Sequence, residues 1–168
     1  GVKACQSIRK QYNKDYVSLM PTNLYGYNDN FDLKSSHVLP ALIRKFYEAK
    51  ENNHSPVILW GSGTPMREFL FVDDLAQAVI YALENKLSEH IYNVGSGKDI
   101  SIKELAETIQ KAVGHRGQII WDSSKPDGTP RKLMDVSKMK AMGWTYKTEL
   151  DEGIEKTYKW FLENINNF

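Results

Sequence analysis

Short apolar runs and amphipathic stretches take turns along this chain, and that alternation constrains its fold more than any other feature. Val57-Ile-Leu-Trp60, Met66-Arg-Glu-Phe-Leu-Phe71, His90-Ile-Tyr-Asn-Val94 and Gln118-Ile-Ile-Trp-Asp122 have the length and the β-branched or aromatic content of strands. Between them lie helical periods. From about His37 to Asn52, Val38, Leu42, Phe46 and Ala49 share one face; from Leu75 to about Glu84, Leu75, Val79 and Leu83 are expected inward. Ser101-Ile-Lys-Glu104 is a capping box opening a helix that runs to about Val113, before Gly114. Strands alternating with helices define an α/β fold.

The remaining elements follow the same logic. Residues 2–13 space Val2, Cys5, Ile8 and Tyr12 helically, which makes Cys5 a core thiol. Gly1 supplies no cap, so this helix reads as the continuation of one begun upstream. Asp15-Tyr-Val-Ser-Leu-Met20 reads as a strand ending at Pro21. Thr22-Asn-Leu-Tyr-Gly26 is then a loop at its carboxyl end, where open α/β sheets bind ligands. Residues 27–36 form a further loop. Ser35 or Ser36 is expected to cap the helix from His37, with Pro40 in its first turn, and Asp73 to cap the helix from Leu75. Ser123 to Lys132 is a polar loop, Asp135 to Gly143 a short helix, and Leu150 to Asn164 a last helix burying Ile154, Tyr158, Phe161 and Leu162. Trp121, Trp144, Tyr158 and Trp160 have the spacing of core aromatics.

Bulk properties exclude several classes. A net charge of +1 argues against a dedicated nucleic-acid surface. No apolar run approaches a membrane span, and the start lacks a secretory pattern. One cysteine forbids an internal disulfide, and the reading is a reducing, cytoplasmic setting. The four histidines are scattered without zinc-site spacing, so no metal is expected. No glycine-rich phosphate fingerprint follows an opening strand; Gly95-Ser-Gly97 is only a strand-to-loop turn.

The most chemically telling stretch is Trp60-Gly-Ser-Gly-Thr-Pro-Met-Arg-Glu-Phe-Leu70, followed by Val72-Asp-Asp74. An indole stacks on a base, and a guanidinium grips a diphosphate through paired hydrogen bonds. The alternative is a buried Trp60 beside a tight turn, with Arg67 in an ion pair with Glu68 or Asp73.

Four segments then carry a resemblance: Met20-Pro-Thr-Asn-Leu-Tyr-Gly26, Ser36-His-Val-Leu-Pro-Ala-Leu42, Trp60-Gly-Ser-Gly-Thr-Pro-Met-Arg-Glu-Phe69 and Lys125-Pro-Asp-Gly-Thr-Pro-Arg-Lys132. Their succession resembles the GDP-L-fucose synthase family, extended short-chain dehydrogenases/reductases. The likeness runs from Gly1 to about Asn164. It implies the carboxyl-terminal half of a Rossmann-type enzyme. Residues 1–168 would interleave the last Rossmann elements with the substrate-binding domain. The family's glycine-rich cofactor half and its Tyr-x-x-x-Lys pair have no match here.

The resemblance implies 3,5-epimerisation of GDP-4-keto-6-deoxy-D-mannose followed by NADPH-dependent 4-reduction, with NADP(H) as cofactor and a homodimeric assembly. It makes His37 the catalytic acid/base and places Pro21, Thr22, Asn23, Leu24 and His37 at the cofactor. It places Asn23, Val38, Leu42, Lys45, Trp60, Arg67, Asp127 and Lys132 at the substrate. Several have a plainer alternative: a helix-terminal His37, a solvated Lys45, a strand end at Pro21, a solvated loop at Lys132 or Arg131. Two other functions fit the same residues: a GDP-sugar-binding chain without activity, and a related epimerase or dehydratase acting on another nucleotide sugar.

Overall fold

The structure, a computed structural model, describes residues 1–167. Its strands form three groupings, two of them wholly parallel and one mixed. β1 (Ser18–Pro21) pairs with β5 (Ile91–Val94), and β3 (Val57–Trp60) with β7 (Ile119–Asp122). β4 (Met66–Phe71) is the spine of a third group. It takes β2 (Asn23–Tyr25) and β8 (Arg131–Lys132) in parallel and β6 (Asp99–Ser101) antiparallel. The α/β class read from the alternation is the class observed.

Helices cover these strands. α2 (Val38–Glu51), α4 (Ile102–Val113) and α6 (Leu150–Glu163) enclose one core, in which Phe31, Ile43, Phe46, Leu105, Ile109 and Ile154 are fully buried. A second core gathers Leu70, Ala78, Tyr92, Val94, Met139 and Trp144, bringing in α3 (Val72–Glu84) and α5 (Ser137–Ala141). Trp144 and Tyr158 are buried, and Trp121 and Trp160 pack against the core, as their spacing predicts. The capping box also forms: Ser101 Oγ accepts from Glu104 N at 3.1 Å, and Ser101 N donates to Glu104 Oε2 at 3.0 Å.

Several local expectations are corrected. The expected loop after Pro21 contains β2, because Asn23–Tyr25 finds ladder partners in Phe69–Phe71, far along the chain. The strand from Asp15 is only Ser18–Pro21, the length of its partner β5. α1 (Val2–Tyr12) buries no residue, so Cys5 is half-buried rather than a core thiol. Neither Ser35 nor Ser36 caps α2; His37 occupies that position without a side-chain cap, while Ser35 Oγ turns back to Asp32. α3 starts at Val72, straight from β4, so Asp73 lies in its first turn and caps nothing.

The buried face of α3 also differs from the expected one. Val79 and Leu83 are exposed, and Asp74 and Ala78 are inward. Leu75 packs against the second core as expected, but apolar spacing alone does not choose the buried face. Asp74 chooses it, by accepting the N–H groups of Lys147 and Thr148 at 2.9 and 3.0 Å. Leu162, expected to be buried on α6, is exposed. α5 is shorter than Asp135 to Gly143, and the expected loop Ser123 to Lys132 ends in β8.

Candidate functional site

Arg67 stands on β4 between two neighbours, opposite Ile100 of β6 and opposite Lys132 of β8. Register partners in a parallel ladder send their side chains to the same side of the sheet. The ladder therefore puts both cationic side chains on one face of the sheet. The neighbouring candidate, Arg131, is already committed: its guanidinium donates to Asp99 at 2.5 and 3.2 Å, which holds the Asp99 carboxyl below its usual range. Lys132 is exposed, and its side chain has no hydrogen bond or ion pair among the described residues. Arg67 donates to the Met66 carbonyl at 2.7 Å. Among the described residues it pairs with neither Glu68, which is buried, nor Asp73, which is exposed. The ion-pair alternative for Arg67 is thus not the arrangement found.

Trp60 ends β3. Val57 and Leu59 point into the core, so the pleat turns Trp60 outward, and it is 70% exposed. The buried-Trp alternative is overturned. The chain leaves Trp60 through Gly61 (φ 82°) and Gly63 (φ 77°), left-handed positions suited to glycine. Asp127 fastens this turn: its carboxylate accepts from Ser62 N at 2.9 Å and Ser62 Oγ at 2.7 Å. Those two donors hold the Asp127 carboxyl below the usual aspartate range. Lys125 Nζ lies 5.7 Å from the centre of the Trp60 ring, a cation–π distance. At Gly128 an added Cβ would stand 3.2 Å from Arg67 Nη2, so this loop touches the guanidinium directly. Trp60, Arg67, Lys125, Asp127 and Lys132 accordingly gather round two loops and one ladder.

A cleft of about 460 Å³ opens beside β2 and the start of α2, lined by Thr22, Asn23, Leu24, Asn28, Asp29 and His37 among others. His37 is exposed, and its ring nitrogens have no hydrogen-bond partner among the described residues. Asp29 lies in the same wall. Burial pushes its carboxyl above the usual range, against the opposing pull of the Asn30 N–H and of His37. Asn23 Nδ2 and Thr22 Oγ1 donate to the Glu68 carbonyl at 2.7 and 3.3 Å, fixing the floor to β4. Burial, reinforced by Asp74, pushes the phenol of Tyr25 upward, keeping it a neutral donor.

The cleft does not reach Trp60 or Arg67, so the sequence-derived residues fall into two groups. β4 joins them. Asn23 pairs with Phe69, the next residue but one after Arg67, about 7 Å along the strand. Pro21 is exposed at the end of β1, and Val38 is 39% exposed next to His37. Leu42 is corrected: at 3% exposure it belongs to the core, not to an open surface. Lys45 lies on a separate shallow groove with Glu48, Asn52 and Ile58. Ile58 and Trp60 share the outer face of β3, which leads from that groove toward the indole. Asp29, Ser62, Glu68 and Lys125 were missed in the sequence. Lys125 had a signal in its motif; the others have none without the fold.

Among the described residues no group of three His, Cys, Asp or Glu side chains is placed to hold a metal ion, and no helix is long and apolar enough to cross a membrane.

The scaffold is a Rossmann-type α/β fold with a polar cleft beside strand ends, the place where such sheets bind ligands. A model of the NAD dependent epimerase/dehydratase family matches residues 1–95, more than half of the chain, and the chain belongs to that family. It is 56% identical over 165 residues to the probable GDP-L-fucose synthase 1 of Oryza sativa subsp. japonica, covering 98% of this chain and 50% of that protein. It is 51% identical over 178 residues to the GDP-L-fucose synthase of Escherichia coli (strain K12), covering 100% of this chain and 55% of that protein. The structure of a GDP-L-fucose synthetase from Naegleria fowleri bound to NADP superposes with a TM-score of 0.88 at 32% identity, covering 98% of this chain and 52% of that one. The chain spans about half the length of the curated relatives it matches.

Proposed function

We propose that this chain is the substrate-binding half of a GDP-L-fucose synthase, which epimerises GDP-4-keto-6-deoxy-D-mannose at C3 and C5 and reduces the C4 ketone with NADPH. The observation that carries this reading is the Arg67–Lys132 pair beside an outward Trp60, one short step along β4 from the His37 cleft. Relatives with that activity at 51–56% identity support it.

The diphosphate lies against Arg67 and Lys132, and the guanine against Trp60. Asp127 keeps the loop closed and retains lone pairs for a base or ribose donor. Lys45 contributes charge from the α2 side. The sugar reaches the cleft, where a ketone at C4 acidifies the C–H bonds at C3 and C5, since the resulting anion spreads onto oxygen. His37, with nitrogens free to give or take a proton, serves one face of those carbons, and inversion draws on a second acid/base at the opposite face.

The floor formed by Pro21, Thr22, Asn23 and Leu24 suits the nicotinamide end of NADP(H). The Thr22 and Asn23 side chains are tied to the Glu68 carbonyl, and the Asn23 amide oxygen has no partner among the described residues. NADPH supplies the hydride that, with a proton, turns the C4 ketone into an alcohol. The structure from Naegleria fowleri with NADP supports that choice of cofactor. A cytoplasmic, homodimeric enzyme completes the reading.

Calorimetric titration of this chain with GDP, UDP and dTDP tests the proposal. Preferential binding of GDP is expected. Preference for UDP or dTDP would point instead to a related epimerase. NADPH oxidation with the keto sugar then separates a catalyst from a chain that only binds.

A further inference from the structure

Glu68 is fully buried, and no cation faces its carboxylate among the described residues. Its oxygens are filled by main chain. Gly97 N donates to Oε1 at 2.7 Å and Met134 N to Oε2 at 2.9 Å, with Ser96 Oγ at 3.4 Å from Oε1. Its own carbonyl receives Asn23 and Thr22. Gly95 leaves the room this needs, since a Cβ there would stand 2.2 Å from Oε1. One residue thus ties β4 to three segments remote in sequence.

Burying a carboxylate without a cation is expensive, and a packed apolar side chain serves stability as well. The energetic oddity points to a geometric duty. β8 is two residues long and has little ladder of its own. Met134, just beyond Lys132, is where the Glu68 side chain seizes that segment. Pleating sends Glu68 to the face opposite Arg67, so it clamps the segment without entering the cationic face.

We infer that Glu68 is a positioning residue of the nucleotide site: by clamping Met134 it fixes the register that sets Lys132 beside Arg67, and so sets diphosphate affinity. This rests on the proposed GDP site. Glu68→Gln sets an amide NH2 against the N–H of either Met134 or Gly97, so the two segments can no longer both be held by this side chain.

The test is a double-mutant cycle on this chain, with GDP affinity read by calorimetry for the parent, Glu68→Gln, Lys132→Ala and both together. Each single change is expected to weaken GDP about tenfold, and the double variant to be no weaker than Lys132→Ala, because residues acting through one contact are not additive. Losses that multiply to about a hundredfold, or no loss with Glu68→Gln, overturn the inference while leaving the GDP site intact. No loss with Lys132→Ala overturns the role of the cationic pair itself. If Glu68→Gln gives no cooperative melting transition, Gly95→Ala takes its place in the cycle. Its Cβ displaces the carboxylate but keeps the charge, and the same two outcomes decide.

Discussion

Arg67 and Lys132 are register partners on adjacent parallel strands, and the ladder between β4 and β8 puts both cations on one face. Arg131 precedes Lys132 by one residue, alternates to the other face and is bound by Asp99. The three basic residues should therefore behave differently. Arg67→Ala is expected to cost about 2–3 kcal/mol of GDP affinity, as for a lost charged hydrogen-bonding partner. Arg131→Ala should change it by less than about 0.5 kcal/mol. Calorimetry at two salt concentrations checks both, and a loss at Arg131 equal to that at Arg67 would contradict the assignment.

Trp60 and Trp144 offer a contrast between site and core. Trp60 is 70% exposed and Trp144 6% exposed. Trp60→Ala should leave the melting transition almost unchanged while weakening GDP by about 1–3 kcal/mol, the usual worth of base–aromatic stacking. Trp144→Ala should cost about 3–5 kcal/mol of stability through its cavity. Denaturant titration beside nucleotide titration separates the two.

His37 lies in the cleft and outside the Trp60–Arg67 group. In the catalytically competent protein, His37→Ala should abolish solvent-deuterium incorporation at C3 and C5 of the keto sugar and leave GDP affinity within twofold, or about 0.4 kcal/mol. Mass spectrometry of recovered sugar nucleotide reads the exchange. Undiminished labelling removes His37 from the proton transfer.

The Asp127–Ser62 latch has a predictable pH response. Hydrogen bonds from Ser62 depress the Asp127 carboxyl in the folded protein. A depressed acid stabilises the fold above its ordinary value, and that contribution is lost as pH falls through the folded-state value. The turn from Gly61 to Gly63 should loosen only at pH below the usual aspartate range. Asp127→Asn should remove that part of the acid dependence. Amide exchange at Ser62, followed against pH in both proteins, is the measurement; identical profiles would contradict the latch.

Much of the framework was legible because its signals are local. The capping box at Ser101 depends on residues three apart, and the strands at Val57, Met66 and Gln118 announce themselves by composition. β2 and β8 were not legible. Three and two residues long, they exist because β4 offers them a partner, and no periodicity can show in so short a run. Leu42 was misplaced for a related reason: its side of α2 was read correctly as apolar, but what lay against that side was unknown. Asp74 reads locally as a favourable charge at a helix start, and Glu68 as an ion-pair partner for Arg67. Both proved to be buried acceptors of main-chain N–H groups.

The amino-acid order alone determined the α/β class, most helices, and the motifs that mark Trp60, Arg67, Asp127 and His37, since propensity, periodicity and motif spacing act over a few neighbouring residues. Only the tertiary structure decided which cation stands free. Strand register chose Lys132 over Arg131, and the β4 ladder set Asn23 near Arg67. Register is a relation between distant segments, settled by backbone pairing and buried acceptors such as Glu68, and strands of two or three residues hold too little hydrophobic pattern to specify it locally.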